Sequence, residues 1–140
     1  LKLAKKWSIP FIIYNKSQSL SDYKTLIKLK NYKINLILLA GFMKILSKNF
    51  IRSFGKSIIN IHPSLLPKFR GLNTFEKVLQ NREKKTGCTV HFVTEKLDEG
   101  KIILKKFFYI NKSDDVVSIK KKTQNLEYNA FSEAIIKISQ

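Results

Sequence analysis

Leu36-Ile37-Leu38-Leu39-Ala40 is apolar at every position, and that narrows the possible folds more than any other stretch of the chain. A strand facing water on one side alternates, whereas an uninterrupted run predicts a strand covered by helices on both faces of a parallel sheet. A second apolar strand, Ser57–Ile61, runs into the proline-punctuated segment His62-Pro-Ser-Leu-Leu-Pro-Lys-Phe-Arg-Gly71. Open α/β sheets place ligands at such strand ends. Asn60 and His62 are two residues apart, so on an extended chain they project to the same side. An amide and a titratable imidazole therefore share one face where a buried strand opens into a loop. Pro63 and Pro67 stiffen that loop and are the two positions where a cis bond could occur.

The rest of the pattern fits. Leu1–Ser8 reads as the end of an amphipathic helix, and Phe11–Tyr14 as a short strand. Ser21 with Asp22 starts a helix to about Asn31. Ser47 caps a short helix that Gly55 ends, and Thr74 caps another that stops near Asn81. Thr89–Thr94 and Lys101–Ile110 are strands joined through the turn Leu97-Asp98-Glu99-Gly100. Ser113, Asp114 and Asp115 open one long amphipathic helix to the end, carried by Val116, Ile119, Leu126, Ala130, Phe131, Ala134, Ile135 and Ile138. The fold class is α/β: an open, mostly parallel twisted sheet with flanking helices, an antiparallel strand pair in the second half and a long C-terminal helix. At 140 residues the chain makes a single domain, 1–140.

Composition excludes several classes. No apolar run approaches the roughly 20 residues of a membrane helix, and no signal-peptide pattern opens the chain. The lone Cys88 excludes an internal disulfide framework and suits a reducing, cytoplasmic setting. The formal charge of +17 suggests nucleic acid, but Arg52, Arg70 and Arg82 are the only arginines among 27 basic residues. Base and phosphate gripping favours arginine, and the lysines form no single stripe. The reading is no nucleic-acid partner and no membrane, with a positive field that gathers small anions. Oligomeric state is left open.

Three polar residues stand out for chemistry: Asn60 as an uncharged donor, His62 as a proton-transfer group near neutrality, and Asp98 in a turn after a strand. His91, alternating with Val90 and Phe92, is read as packing, and so is Cys88.

The runs Gly41-Phe-Met-Lys-Ile-Leu-Ser47, Asn60-Ile-His62-Pro-Ser-Leu-Leu-Pro67 and Val90-His-Phe-Val-Thr-Glu-Lys-Leu-Asp98-Glu-Gly100 resemble the glycinamide ribonucleotide formyltransferases of purine synthesis. The resemblance covers essentially the whole chain. It implies a Rossmann-like formyltransferase fold and attack by the glycinamide amine on the formyl carbon of 10-formyltetrahydrofolate, with no metal. Asn60, His62 and Asp98 would be catalytic. The Asn60 amide and a protonated His62 would stabilise an oxyanion. Asp98 would favour the imidazolium and order a water between the two. Met43, Lys44, Ile45 and Leu46, together with Asn60, would hold the folate, and Glu127 the ribose of the ribonucleotide. The small molecules glycinamide ribonucleotide and folate are the implied partners. The family's glycine- and serine-rich phosphate loop has no counterpart among Gly41, Gly55, Gly71, Gly87 and Gly100, so the chain is expected to be an N-terminally truncated fragment lacking the first strands, the C-terminal two-thirds of the fold. Formyltetrahydrofolate deformylase, methionyl-tRNA formyltransferase and a non-catalytic folate-binding remnant are the competing readings. Pro63 stands where the deformylase usually shows a second histidine, and Arg70-Gly71 leans toward the tRNA enzyme.

Overall fold

The computed structural model describes residues 2–13 and 23–140; Ser21 and Asp22, expected to start a helix, lie outside them. The elements are α1 (Lys2–Lys6), α2 (Tyr23–Asn31), β1 (Leu36–Leu39), α3 (Lys48–Phe54), β2 (Ser57–His62), α4 (Thr74–Gln80), β3 (Lys85–Phe92), β4 (Ile102–Tyr109) and α5 (Val116–Ser139). The strands lie in the order β1-β2-β3-β4. β1 and β2 are parallel and joined through α3, while β2–β3 and β3–β4 are antiparallel. Among the described residues the sheet is thus mixed, with one parallel ladder of three, and the expected antiparallel pair is β3–β4.

Local chemistry sets most helix ends. The Ser47 hydroxyl accepts the Phe50 N–H at 3.1 Å, and Gly55 closes α3 at φ 62°, a conformation that costs glycine nothing. Asp115 and Ser118 form a reciprocal capping box at the start of α5. Thr74 is not a cap: Asn73 takes that position at φ 57°, and Thr74 is the first helical residue, buried.

Side-chain alternation along β2 divides the core. Ile59 and Ile61 face α5 with Cys88, Val90, Ile103, Ala130 and Ala134. Ile58 faces the other way, with Leu26, Leu39, Leu46, Phe50 and Phe54 under α2 and α3. Asn60 and His62, in phase with Ile58, project from the face opposite α5.

Three further expectations need correction. Phe11–Ile13 join no ladder among the described residues, and Tyr14 lies outside them. Among the described residues the all-apolar β1 is covered unevenly: Leu36 packs against the α5 cluster, whereas Leu38 on the same face is 43% exposed. β3 starts at Lys85, four residues ahead of Thr89, and ends at Phe92. Its Gly87 looks like a breaker but serves a close approach, since a Cβ there would stand 1.9 Å from the Lys106 carbonyl of β4.

Candidate active site

The end of β2 gathers the polar residues. His62 is buried, and its Nε2 lies 2.8 Å from the Phe69 carbonyl oxygen. A carbonyl only accepts, so Nε2 carries a proton. Nδ1 of the same ring faces Asp98 Oδ2 at 3.4 Å. Both ring nitrogens therefore face oxygen atoms, Nε2 through a hydrogen bond and Nδ1 through an ion-pair contact. The carboxylate stands directly against the ring at that distance.

Asp98 is held for this task. Its side chain is 7% exposed, it sits at φ 51°, and its Oδ2 accepts the Gly71 N–H at 2.9 Å. Aspartate tolerates the left-handed region better than most residues. Arg70 pairs with Glu99 at 2.6 Å beside it, tying the same two loops together.

His91 was missed by sequence reasoning. It is the register partner of Asn60, and its Nε2 lies 3.3 Å from the Asn60 amide nitrogen and 3.6 Å from Asp98 Oδ1. Its Nδ1 lies 2.9 Å from the Phe92 carbonyl oxygen, so Nδ1 bears the proton and Nε2 accepts from Asn60. Burial, partly offset by that carbonyl and by Asp98, holds its pKa below the ordinary histidine value and keeps it neutral. The available signal was pairing: an antiparallel β2–β3 ladder puts His91 and Asn60 on one face, away from Val90 and α5.

Asn60, His62 and Asp98 therefore lie around the end of β2, with the His91 ring bonded to Asn60 and standing next to Asp98 without a hydrogen bond to it. The strip after β1 begins beside Asn60, because Leu39 is its ladder partner. There Met43 and Ile45 are 83% and 75% exposed, Lys44 is exposed, and Leu46 is buried in the core, so Leu46 can offer a ligand only its backbone. Glu127 is not brought to this group. It lies on α5, against the opposite face of the sheet, half-buried and with its pKa raised by desolvation. Its charge adds to the burial that pushes the Cys88 thiol up to about 12, which makes Cys88 an inert packing residue. The Leu66–Pro67 bond is cis. Among the described residues no cluster of three or more His, Cys, Asp or Glu could hold a metal ion, and no helix is long and apolar enough to cross a membrane.

The family model described as formyl transferase matches residues 2–135. The chain is 41% identical over 103 residues to the phosphoribosylglycinamide formyltransferase of Haemophilus influenzae, which spans 74% of this chain and 49% of that protein. It is 40% identical over 107 residues to the human trifunctional purine biosynthetic protein adenosine-3, spanning 76% of this chain and 11% of that protein. The crystal structure of the phosphoribosylglycinamide formyltransferase from Anaplasma phagocytophilum superposes with a TM-score of 0.89 at 32% identity, covering 99% of this chain and 68% of that one. The Campylobacter jejuni phosphoribosylglycinamide formyltransferase gives 0.84 at 33% identity, covering 99% and 73%. The chain thus spans about half the length, or much less, of the curated relatives it matches, and it belongs to the formyl transferase family, among the phosphoribosylglycinamide formyltransferases.

Proposed function

We propose that this chain carries, as one domain, the catalytic centre that transfers a formyl group from 10-formyltetrahydrofolate to the amine of glycinamide ribonucleotide in cytoplasmic purine synthesis. The observation that carries the reading is the meeting of an amide, an imidazole and a carboxylate at the end of β2, in a chain of this family.

Each group suits a step. Attack on a formyl carbon puts negative charge on its oxygen, which wants preorganised donors. The free proton of the Asn60 amide and the Nε2–H of His62 supply them. The resting acceptor of that Nε2–H is the Phe69 carbonyl, a weaker acceptor than an oxyanion. As an imidazolium, His62 gives its Nε2 proton to the departing nitrogen and then takes one from the attacking amine, returning to its starting state. Asp98, anchored by Gly71, faces the ring and favours its charged form whenever it is protonated. The exposed apolar side chains of Met43 and Ile45, on the strip that follows β1, suit a flat ring system such as a pterin, with the exposed Lys44 between them. The resemblance assigns Glu127, half-buried on α5, to the ribose hydroxyls, and that contact requires the ribonucleotide to reach past the edge of the sheet.

The test is an acceptor comparison. Purified protein is given 10-formyltetrahydrofolate with glycinamide ribonucleotide, with water alone, or with initiator tRNA. Formylation of the ribonucleotide at a rate well above hydrolysis is the expected result. Hydrolysis alone points to a deformylase, formylated tRNA to the tRNA enzyme, and folate binding without turnover to a remnant.

A further inference from the structure

We propose that Lys105 is a positioning residue that, with Thr89, sets the imidazole of His62 through the loop Leu65–Phe69. The proposal rests on His62 being the proton-transfer group of the reaction above.

Thr89 and Lys105 are direct partners across the β3–β4 ladder, and both reach the same loop residue. Leu66 N–H donates to Thr89 Oγ1 at 3.1 Å, and the Lys105 ammonium donates to the Leu66 carbonyl. One residue of the loop is thus held at both ends of its backbone by one cross-strand pair. Thr89, fully buried, also donates to the Ser64 carbonyl at 2.7 Å, and the Ser64 hydroxyl donates to the Lys68 carbonyl at 2.7 Å. The next residue, Phe69, turns at φ 56° and presents its carbonyl to His62 Nε2. An aromatic residue in the left-handed region persists only where its neighbours over-determine it. These ties do so.

Beyond these ties the loop is backed by the ion pair of Lys68 with Glu83 at 2.7 Å and by the Lys68 N–H donated to the Leu65 carbonyl, neither of which reaches Leu66. The side chain of Leu66 is buried, but Leu65–Phe69 also line a cavity of about 340 Å³ whose wall includes Lys85, Lys105 and Phe107. A ring nitrogen bonded to a backbone carbonyl takes its tautomer and plane from where that carbonyl points. The charged groups facing His62 are Asp98, from the loop after β3, and His91, which shares Asp98 with it. Neither touches Lys105, so a change at Lys105 reaches the ring through the loop. Removing the Thr89 hydroxyl would leave buried backbone groups unpaired and disturb folding. Lys105 is exposed on β4, the last strand of the sheet, so its ammonium can be removed at little cost to stability.

The experiment compares Lys105→Met, Lys105→Arg and wild type. The imidazole ¹⁵N resonances of His62 are followed against pH in unliganded protein, alongside kcat, KM and Tm. The expected result for Lys105→Met is a Tm within a few degrees of wild type and a His62 titration midpoint moved by about half a pH unit or more. Its kcat falls about tenfold, with KM within about twofold. Lys105→Arg, which keeps a donor, restores both. An unmoved His62 titration in a folded Lys105→Met overturns the proposal. So does equal loss in both variants in step with a lowered Tm, the mark of a structural role; if Lys105→Met does not fold, Lys105→Gln takes its place under the same criteria. The resonances need no turnover, so they decide the proposal even if the wild type transfers no formyl group.

Discussion

Asn60 and His91 face each other across the β2–β3 ladder, and the Asn60 amide donates to the unprotonated Nε2 of His91 at 3.3 Å. This fixes which way the carboxamide points. It also makes an uncharged His91 a condition of the site, since a protonated Nε2 would meet an N–H rather than accept from it.

His91→Phe keeps the buried volume and removes the acceptor, so kcat should fall about tenfold with a smaller change in KM, measured in the formyl-transfer assay. The same variant tests a stability effect. The native pKa of His91 is lowered by burial while the unfolded value stays near 6.5. The unfolded chain therefore binds the proton more readily, and stability present above pH 6.5 is lost as pH falls toward the native pKa. Thermal melts should show wild type losing Tm across that window more steeply than His91→Phe. Parallel curves and an unchanged kcat would return His91 to a packing role.

Asp98→Asn is nearly isosteric, tolerates the left-handed backbone, and can still accept the Gly71 N–H. It removes the charge that pairs the His62 imidazolium. The acid limb of the rate profile should move to lower pH, because the ring then loses its proton more readily, and kcat should drop on the order of 10²-fold. An unmoved limb would take Asp98 out of the mechanism.

What the sequence discloses is what local chemistry decides. Ser47 as a cap, Gly55 as a stop and the strand running through Asn60 to His62 depend on neighbours within a few positions. What it conceals depends on residues far along the chain. The start of β3 at Lys85 is concealed because Gly87 lies in the strand only through its close approach to the Lys106 carbonyl of β4, a contact far along the chain. His91 becomes a site residue only once β2 and β3 are paired antiparallel. Leu38 belongs to an all-apolar run yet is 43% exposed, while Leu36 beside it packs against α5, a difference that no local pattern carries.

Glu127 carries an opposite signature. Its native pKa is raised above the unfolded value by desolvation, so its contribution to stability is complete below about pH 4.5 and is lost as pH rises through the native pKa. Glu127→Gln should raise Tm by about 2 °C at pH 7 and by nothing near pH 4. If the carboxylate serves the ribose hydroxyls, the KM for glycinamide ribonucleotide rises several-fold in the same variant while the KM for folate stays put. A variant with unchanged Tm and KM would remove Glu127 from the site.

The most direct test of the central claim is turnover against folate binding in His62→Asn. The account predicts a loss of about 10²- to 10⁴-fold in kcat, with the folate Kd within about twofold of wild type. A variant that turns over near the wild-type rate while binding folate normally would contradict it.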